Sequence, residues 1–133
     1  MFYVSREIHF SYGHRLLNYE GKCANLHGHN ARVQIEVSSL KLNHQDMVVD
    51  FHEIQKSIGE WIDNHLDHKL ILCEKDPVVS SLKEKGEVFL TIDTNPTAEV
   101  LAKLIFDEAR KMRLAVSRVT LWETNDSFAV YHE

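Results

Sequence analysis

The 133-residue chain carries 15 basic and 20 acidic side chains, a net charge of −5, with 44% hydrophobic and 26% charged residues. That length suits a single domain, residues 1–133, with room for a buried core. The acidic balance argues against a nucleic-acid partner, whose phosphates need a basic face, and no apolar run approaches the roughly 18 residues of a membrane helix.

The N-terminal stretch "MFYVSREIHF" alternates polar and apolar residues, so it reads as neither a signal nor a transit peptide. Phe2, Val4, Ile8, Phe10 and Tyr12 form one face of that period-two pattern, which predicts a half-buried strand. Ala31, Val33, Ile35 and Val37 predict a second strand, paired antiparallel with the first. Asp50, with Glu53 three residues on, opens a capping-box-like helix whose Ile54, Ile58, Trp61, Ile62 and Leu66 recur at helical spacing. Glu87 to Asp93 reads as a short strand. "NPTAEVLAKLIFDEARKM" reads as a second helix, with Pro96 near its start and Val100, Leu101, Leu104, Ile105 and Met112 as its apolar stripe. The C-terminal "SRVTLWETNDSFAVYHE" gives two strand-like halves around Asn125 and Asp126. This order predicts an α+β fold, an antiparallel sheet with two helices on one face.

Nine histidines in 133 residues is a high count, and two sit in "KCANLHGHN". His27 and His29, two apart on an extended second strand, share the face of Ala31 and Val33. His14 falls in register with Phe10 and Tyr12. Three buried imidazoles converging with no acid nearby suit a metal ion, and three nitrogen ligands with a fourth position open is the pattern of catalytic zinc. For an isolated H-x-H the plainer reading is a turn with two surface histidines, and His14 in phase tips the balance to the metal. Cys23, four residues before His27, could ligate as well, but would then close the site. In "NHLDHKL", Asp67 beside His68 could orient an imidazole for acid–base work. On its own, that segment reads as a helix C-terminus decorated with histidines that favour the dipole. Glu123 follows Val119 and Leu121 on one face of the last strand, so its carboxylate points inward if the strand reaches it. A buried carboxylate needs a donor pair.

Taken in order, "HFSYGHRL", "CANLHGHN", "VVDFHEI", "LDHK", "NPTAE" and "WET" resemble the 6-pyruvoyl-tetrahydropterin synthase / 6-carboxytetrahydropterin synthase family over nearly the whole chain. The resemblance implies the T-fold, a four-stranded antiparallel sheet with two helices, assembled into a homohexamer of two stacked trimers with active sites between subunits. It implies Zn2+ on His14, His27 and His29, Cys23 as the proton-abstracting thiol, and Asp67 with His68 as an acid–histidine pair. Glu123 would anchor the pterin ring or serve the proton relay, and Thr97 would lie where backbone groups hold the pterin. The cysteine four residues before H-G-H resembles the bacterial 6-carboxy-5,6,7,8-tetrahydropterin synthases of the queuosine (7-deazaguanine) pathway. The implied substrate is 7,8-dihydroneopterin triphosphate. Alternatives are a 6-pyruvoyl-tetrahydropterin synthase, or a non-catalytic zinc or pterin binder of the same fold. Cys23 and Cys73 are too few for a disulfide framework and fit reduced thiols in the cytoplasm. The span from Lys69 to Thr94, which holds Cys73, is longer than in compact members of the family.

Overall fold

The computed structural model describes residues 1–133. Period-two patterning builds its centre. Strands β1 (Phe2–His14) and β2 (His27–Ser39) pair antiparallel along their whole length. The register sets Ile8 opposite Val33, Phe10 opposite Ala31, Tyr12 opposite His29 and His14 opposite His27. These pairs face inward, so at one end of the ribbon the buried row changes from aliphatic side chains to aromatic and imidazole rings.

After β2 the chain forms one rod: α1 (Phe51–Ile54), a π-helical turn (Gln55–Gly59) and α2 (Glu60–His65). The Asp50 side chain caps it by accepting from the His52 N–H at 2.8 Å. Ile54, Ile58, Ile62 and Leu66, four apart, are fully buried against the sheet. The widened turn lets the Gln55 side chain fold over Gly59, where a Cβ would lie 2.7 Å from its amide nitrogen.

The sheet differs from the predicted one. It has six strands, not four, in the order β4-β3-β1-β2-β5-β6, and it is mixed rather than antiparallel. The long span after the first helical rod supplies the difference as a β-α-β unit. Strand β3 (Lys69–Cys73) runs parallel to β1, helix α3 (Val78–Glu84) crosses over, and β4 (Phe89–Ile92) runs parallel to β3. "KLILC" has no alternation to betray it, and its Ile71, Leu72 and Cys73 are all buried, as in a parallel strand covered on both faces. Helix α3 buries no residue, so it lacks an apolar stripe and was invisible to periodicity.

Helix α4 (Ala98–Lys111) is N-capped by Thr97, whose hydroxyl accepts from the Val100 N–H at 3.3 Å. Its buried face is Leu101, Ala102, Ile105, Phe106 and Ala109, with the predicted Val100, Leu104 and Met112 at the margin. Strands β5 (Val116–Trp122) and β6 (Phe128–His132) close the chain as an antiparallel hairpin. The α1–α2 rod and α4 cover one face. The other presents Ser5, Glu7, His9 and Asn30 to solvent.

Candidate active site

The imidazole end of the β1–β2 ribbon is a ready-made donor set. Ligand nitrogens of His14, His27 and His29 all lie within 4.8 Å of one another. His14 Nδ1 bonds the Pro96 carbonyl at 2.7 Å, and His27 Nδ1 bonds the Asn25 carbonyl at 2.7 Å. A carbonyl only accepts, so both rings carry their proton on Nδ1 and turn a bare Nε2 lone pair into the cluster. His14 Nε2 lies 3.1 Å from His29 Nε2. Burial, chiefly, lowers the His14 pKa below the usual imidazole value, which keeps the ring neutral. Three imidazole nitrogens within 4.8 Å of one another fit a divalent zinc ion, which takes imidazole ligands at about 2.0–2.1 Å. Gly28 keeps the pair close to β1, since a Cβ there would sit 3.1 Å from the Tyr12 carbonyl.

An acid does stand beside the imidazoles, contrary to expectation. Strand β5 ends at Trp122, yet the next residue, Glu123, turns its carboxylate inward, and its side chain is only 24% exposed. Glu123 Oε1 lies 3.8 Å from His14 Nε2 and 3.9 Å from His29 Nε2. It is not unpartnered, because the Tyr12 hydroxyl donates to it at 3.0 Å. Burial first, and then this neighbouring charge, push the Tyr12 pKa far above the ordinary phenol value, so the tyrosine stays a donor. Tyr12 was expected only as a core aromatic. A buried tyrosine hydroxyl must find a partner, and that was the available signal.

Next to this cluster, His14, Cys23, Thr97, Glu99 and Glu123 line a cavity of about 330 Å³. Cys23 sits on a 3-10 turn (Lys22–Ala24), is partly exposed, and is a free thiol. Its carbonyl accepts from the Leu16 N–H at 2.8 Å, which ties the turn to the strand end two residues past His14. Cys73, by contrast, is buried in β3.

Asp67 and His68 pair elsewhere. His68 Nδ1 and Asp67 Oδ2 are 2.7 Å apart. The pair is fastened to the backbone of Ser11, whose N–H donates to Asp67 Oδ1 at 2.8 Å and whose carbonyl accepts from the His68 N–H at 2.7 Å. His68 holds a left-handed backbone (φ 58°), a strained state for a residue with a Cβ. Burial alone would raise the Asp67 carboxyl. The bonds from Ser11 and His68 outweigh it and hold the group below the ordinary carboxylate range. The His68 side chain is 81% exposed and borders a second cavity of about 660 Å³ with Ser11, Gly13, Gly28 and Asn30. No residue lines both cavities. Cys23 and His68 thus line different cavities, on either side of the imidazole cluster.

A sequence profile of the 6-pyruvoyl tetrahydropterin synthase family matches residues 3–133. The chain belongs to that family. It is 32% identical to a 6-carboxy-5,6,7,8-tetrahydropterin synthase of Aquifex aeolicus, covering 98% of this chain and 97% of the relative. It is also 32% identical to one of Haemophilus influenzae over the full length of both. An uncharacterised protein of Wolinella succinogenes has a similar structure, with a TM-score of 0.82 and 25% identity over 99% of this chain and 98% of its own. The 6-pyruvoyl tetrahydropterin synthase of Caenorhabditis elegans shares the fold, with a TM-score of 0.74 and 24% identity over 99% and 95%. The six-stranded sheet is thus this member's form of the family's T-fold. The thiol and the carboxylate share a cavity with His14, while His27 and His29 line the other cavity with His68, so the metal position lies between the two.

Proposed function

We propose that the protein is a zinc-dependent 6-carboxy-5,6,7,8-tetrahydropterin synthase, a lyase that converts 7,8-dihydroneopterin triphosphate and water to 6-carboxytetrahydropterin, acetaldehyde and triphosphate. The observation that carries the reading is the convergence of three imidazole nitrogens beside a cavity that also holds a free thiol and an inward carboxylate. Zinc held by His14, His27 and His29 would supply Lewis-acid polarisation of the substrate's side-chain oxygens. Cys23 moves a proton at the side-chain carbons. His68, oriented by Asp67, exchanges protons with the side-chain hydroxyls. Glu123 accepts from the amino group and ring N–H of the pterin, with the Tyr12 bond fixing the orientation of its carboxylate. The Thr97 segment at the start of α4 lines the same cavity and offers backbone groups to the ring.

The separation of Cys23 and His68 supports an active site shared between subunits, in which the acid–histidine pair of one chain serves the thiol cavity of its neighbour. Strands β4 and β6 leave both sheet edges unpaired, which supports assembly through those edges into the homohexamer. Two free cysteines fit a reducing, cytoplasmic setting.

The family's own description supports a second product, 6-pyruvoyltetrahydropterin, because metal, thiol and imidazole have work in either reaction. Mass spectrometry of the product formed from 7,8-dihydroneopterin triphosphate separates the two. The 6-carboxy product with acetaldehyde is expected. A 6-pyruvoyl product would replace the reading by the alternative, and no turnover by zinc-loaded protein would leave only a binding role.

A further inference from the structure

The backbone between the first metal ligand and the thiol turn is tied at Leu17 by a side chain outside the proposed chemistry. Asn95 Oδ1 accepts from the Leu17 N–H at 2.9 Å, and Asn95 Nδ2 donates to the Leu17 carbonyl at 3.0 Å. The planar amide thus imitates a strand partner for a residue that lies beyond the end of β1. Only a group with a donor and an acceptor side by side can do this, which leaves asparagine or glutamine. Two connections run outward from the clamp. Pro96, the next residue, presents the carbonyl that fixes the His14 tautomer. Leu16, beside Leu17, donates its N–H to the Cys23 carbonyl. The Asn95 backbone also accepts from the N–H of Thr97, the cap of α4.

We infer that Asn95 is a positioning residue, which sets the His14 imidazole and the Cys23 turn in register with each other against the start of α4. Its side chain touches neither residue. It acts by holding residues 14–17 and 95–97 as one unit, so that Pro96 O stays within bonding reach of His14 Nδ1 and His14 Nε2 faces the metal position. This inference rests on the reading of His14, His27 and His29 as metal ligands.

The test measures zinc affinity by chelator competition, together with the electronic spectrum of the cobalt-substituted protein, for wild type, Asn95→Ala and Asn95→Asp. Asn95→Ala should weaken zinc binding by about 10-fold, the low end for loss of an outer-sphere partner because the Pro96 carbonyl is loosened rather than removed, and should shift the cobalt bands. Asn95→Asp keeps the acceptor for Leu17 N–H but sets an oxygen against the Leu17 carbonyl, so it should also bind zinc more weakly and carries the test if the alanine variant aggregates. Asn43→Ala is the control. It removes two comparable side-chain-to-backbone bonds, to Gln45 and Met47, in the loop after the far end of β2. It should lower stability while leaving zinc affinity and the cobalt spectrum unchanged. Zinc affinity in the folded Asn95 variants within about twofold of wild type would overturn the inference alone. A wild-type protein that binds no zinc would overturn the metal reading and this inference together.

Discussion

The two halves of the proposed machinery are built on opposite principles. The three imidazoles stand on paired strands, where the β1–β2 register and two backbone carbonyls fix both position and tautomer. His14 is only 3% exposed. The Asp67–His68 pair stands on the turn after α2, with the His68 ring mostly in solvent on a left-handed backbone, and is steadied by Ser11 and by the Asp67 N–H bond to the Ile62 carbonyl. A strand-borne donor set is preorganised within one chain. An exposed, strained dyad at the edge of an open cavity has the form of a group waiting for the rest of its site.

That contrast can be broken most forcefully at the metal end. His27→Ala removes one of three ligands, so zinc should fall from about one per chain to near zero and turnover should vanish with it. Elemental analysis with an activity assay decides this, and a metal-free yet fully active protein would end the metal reading. Cys23→Ala should cost about two to four orders of magnitude in turnover, the range for lost acid–base catalysis, while zinc content stays at the wild-type level. If the variant sheds its zinc instead, Cys23 is a fourth ligand.

The carboxylate beside the imidazoles offers a smaller effect. Glu123→Gln keeps the shape and can still accept from Tyr12, but loses the charge and one acceptor. Affinity for a pterin product analogue, measured by titration calorimetry, should fall by about one to three orders of magnitude with zinc retained. Equal affinities would remove Glu123 as the anchor.

The smallest effect belongs to the scaffold. Asp76, with a side chain 1% exposed, takes two bonds from Arg15 at 2.7 and 2.5 Å and one from the Val78 N–H at 2.9 Å. Arg15, above all, holds its carboxyl below the ordinary carboxylate range. The depressed folded value means this stabilisation is complete above the ordinary carboxylate pKa and fades as pH falls through the folded one. Asp76→Asn should therefore lose about 2 kcal/mol in urea unfolding near pH 7, less than a fully buried pair because Arg15 still reaches water. The gap to wild type should hold down to about pH 5 and narrow below it. A gap that widens toward acid would contradict the assignment.

Much of the site was legible because imidazoles at positions 14, 27 and 29 share the strands' period of two with the apolar core. Glu123 could be read as inward only by supposing a strand that in fact stops at Trp122. The Pro96 carbonyl that orients His14 left no trace in sequence, since every residue carries such a group. Of the β-α-β unit of residues 69–92, the short strand read at Glu87 to Asp93 is β4, whereas β3 and α3 escaped for the reverse reason. β3 is too short and too uniformly apolar to show a period, and α3 has no buried face. Its consequence is large all the same, because β3 follows His68 directly and carries the dyad alongside β1.

The central claim is that the Cys23 cavity of one subunit and the Asp67–His68 pair of another form one active site. Co-expression of Cys23→Ala and His68→Ala chains, each inactive alone, tests it directly. Random mixing in a closed oligomer should give about a quarter of the sites an intact thiol from one subunit and an intact dyad from its neighbour, and restore about that share of wild-type turnover. Mixed oligomers, verified by mass spectrometry, that remain as inactive as their parents would show that both groups act within one chain, and would contradict the account.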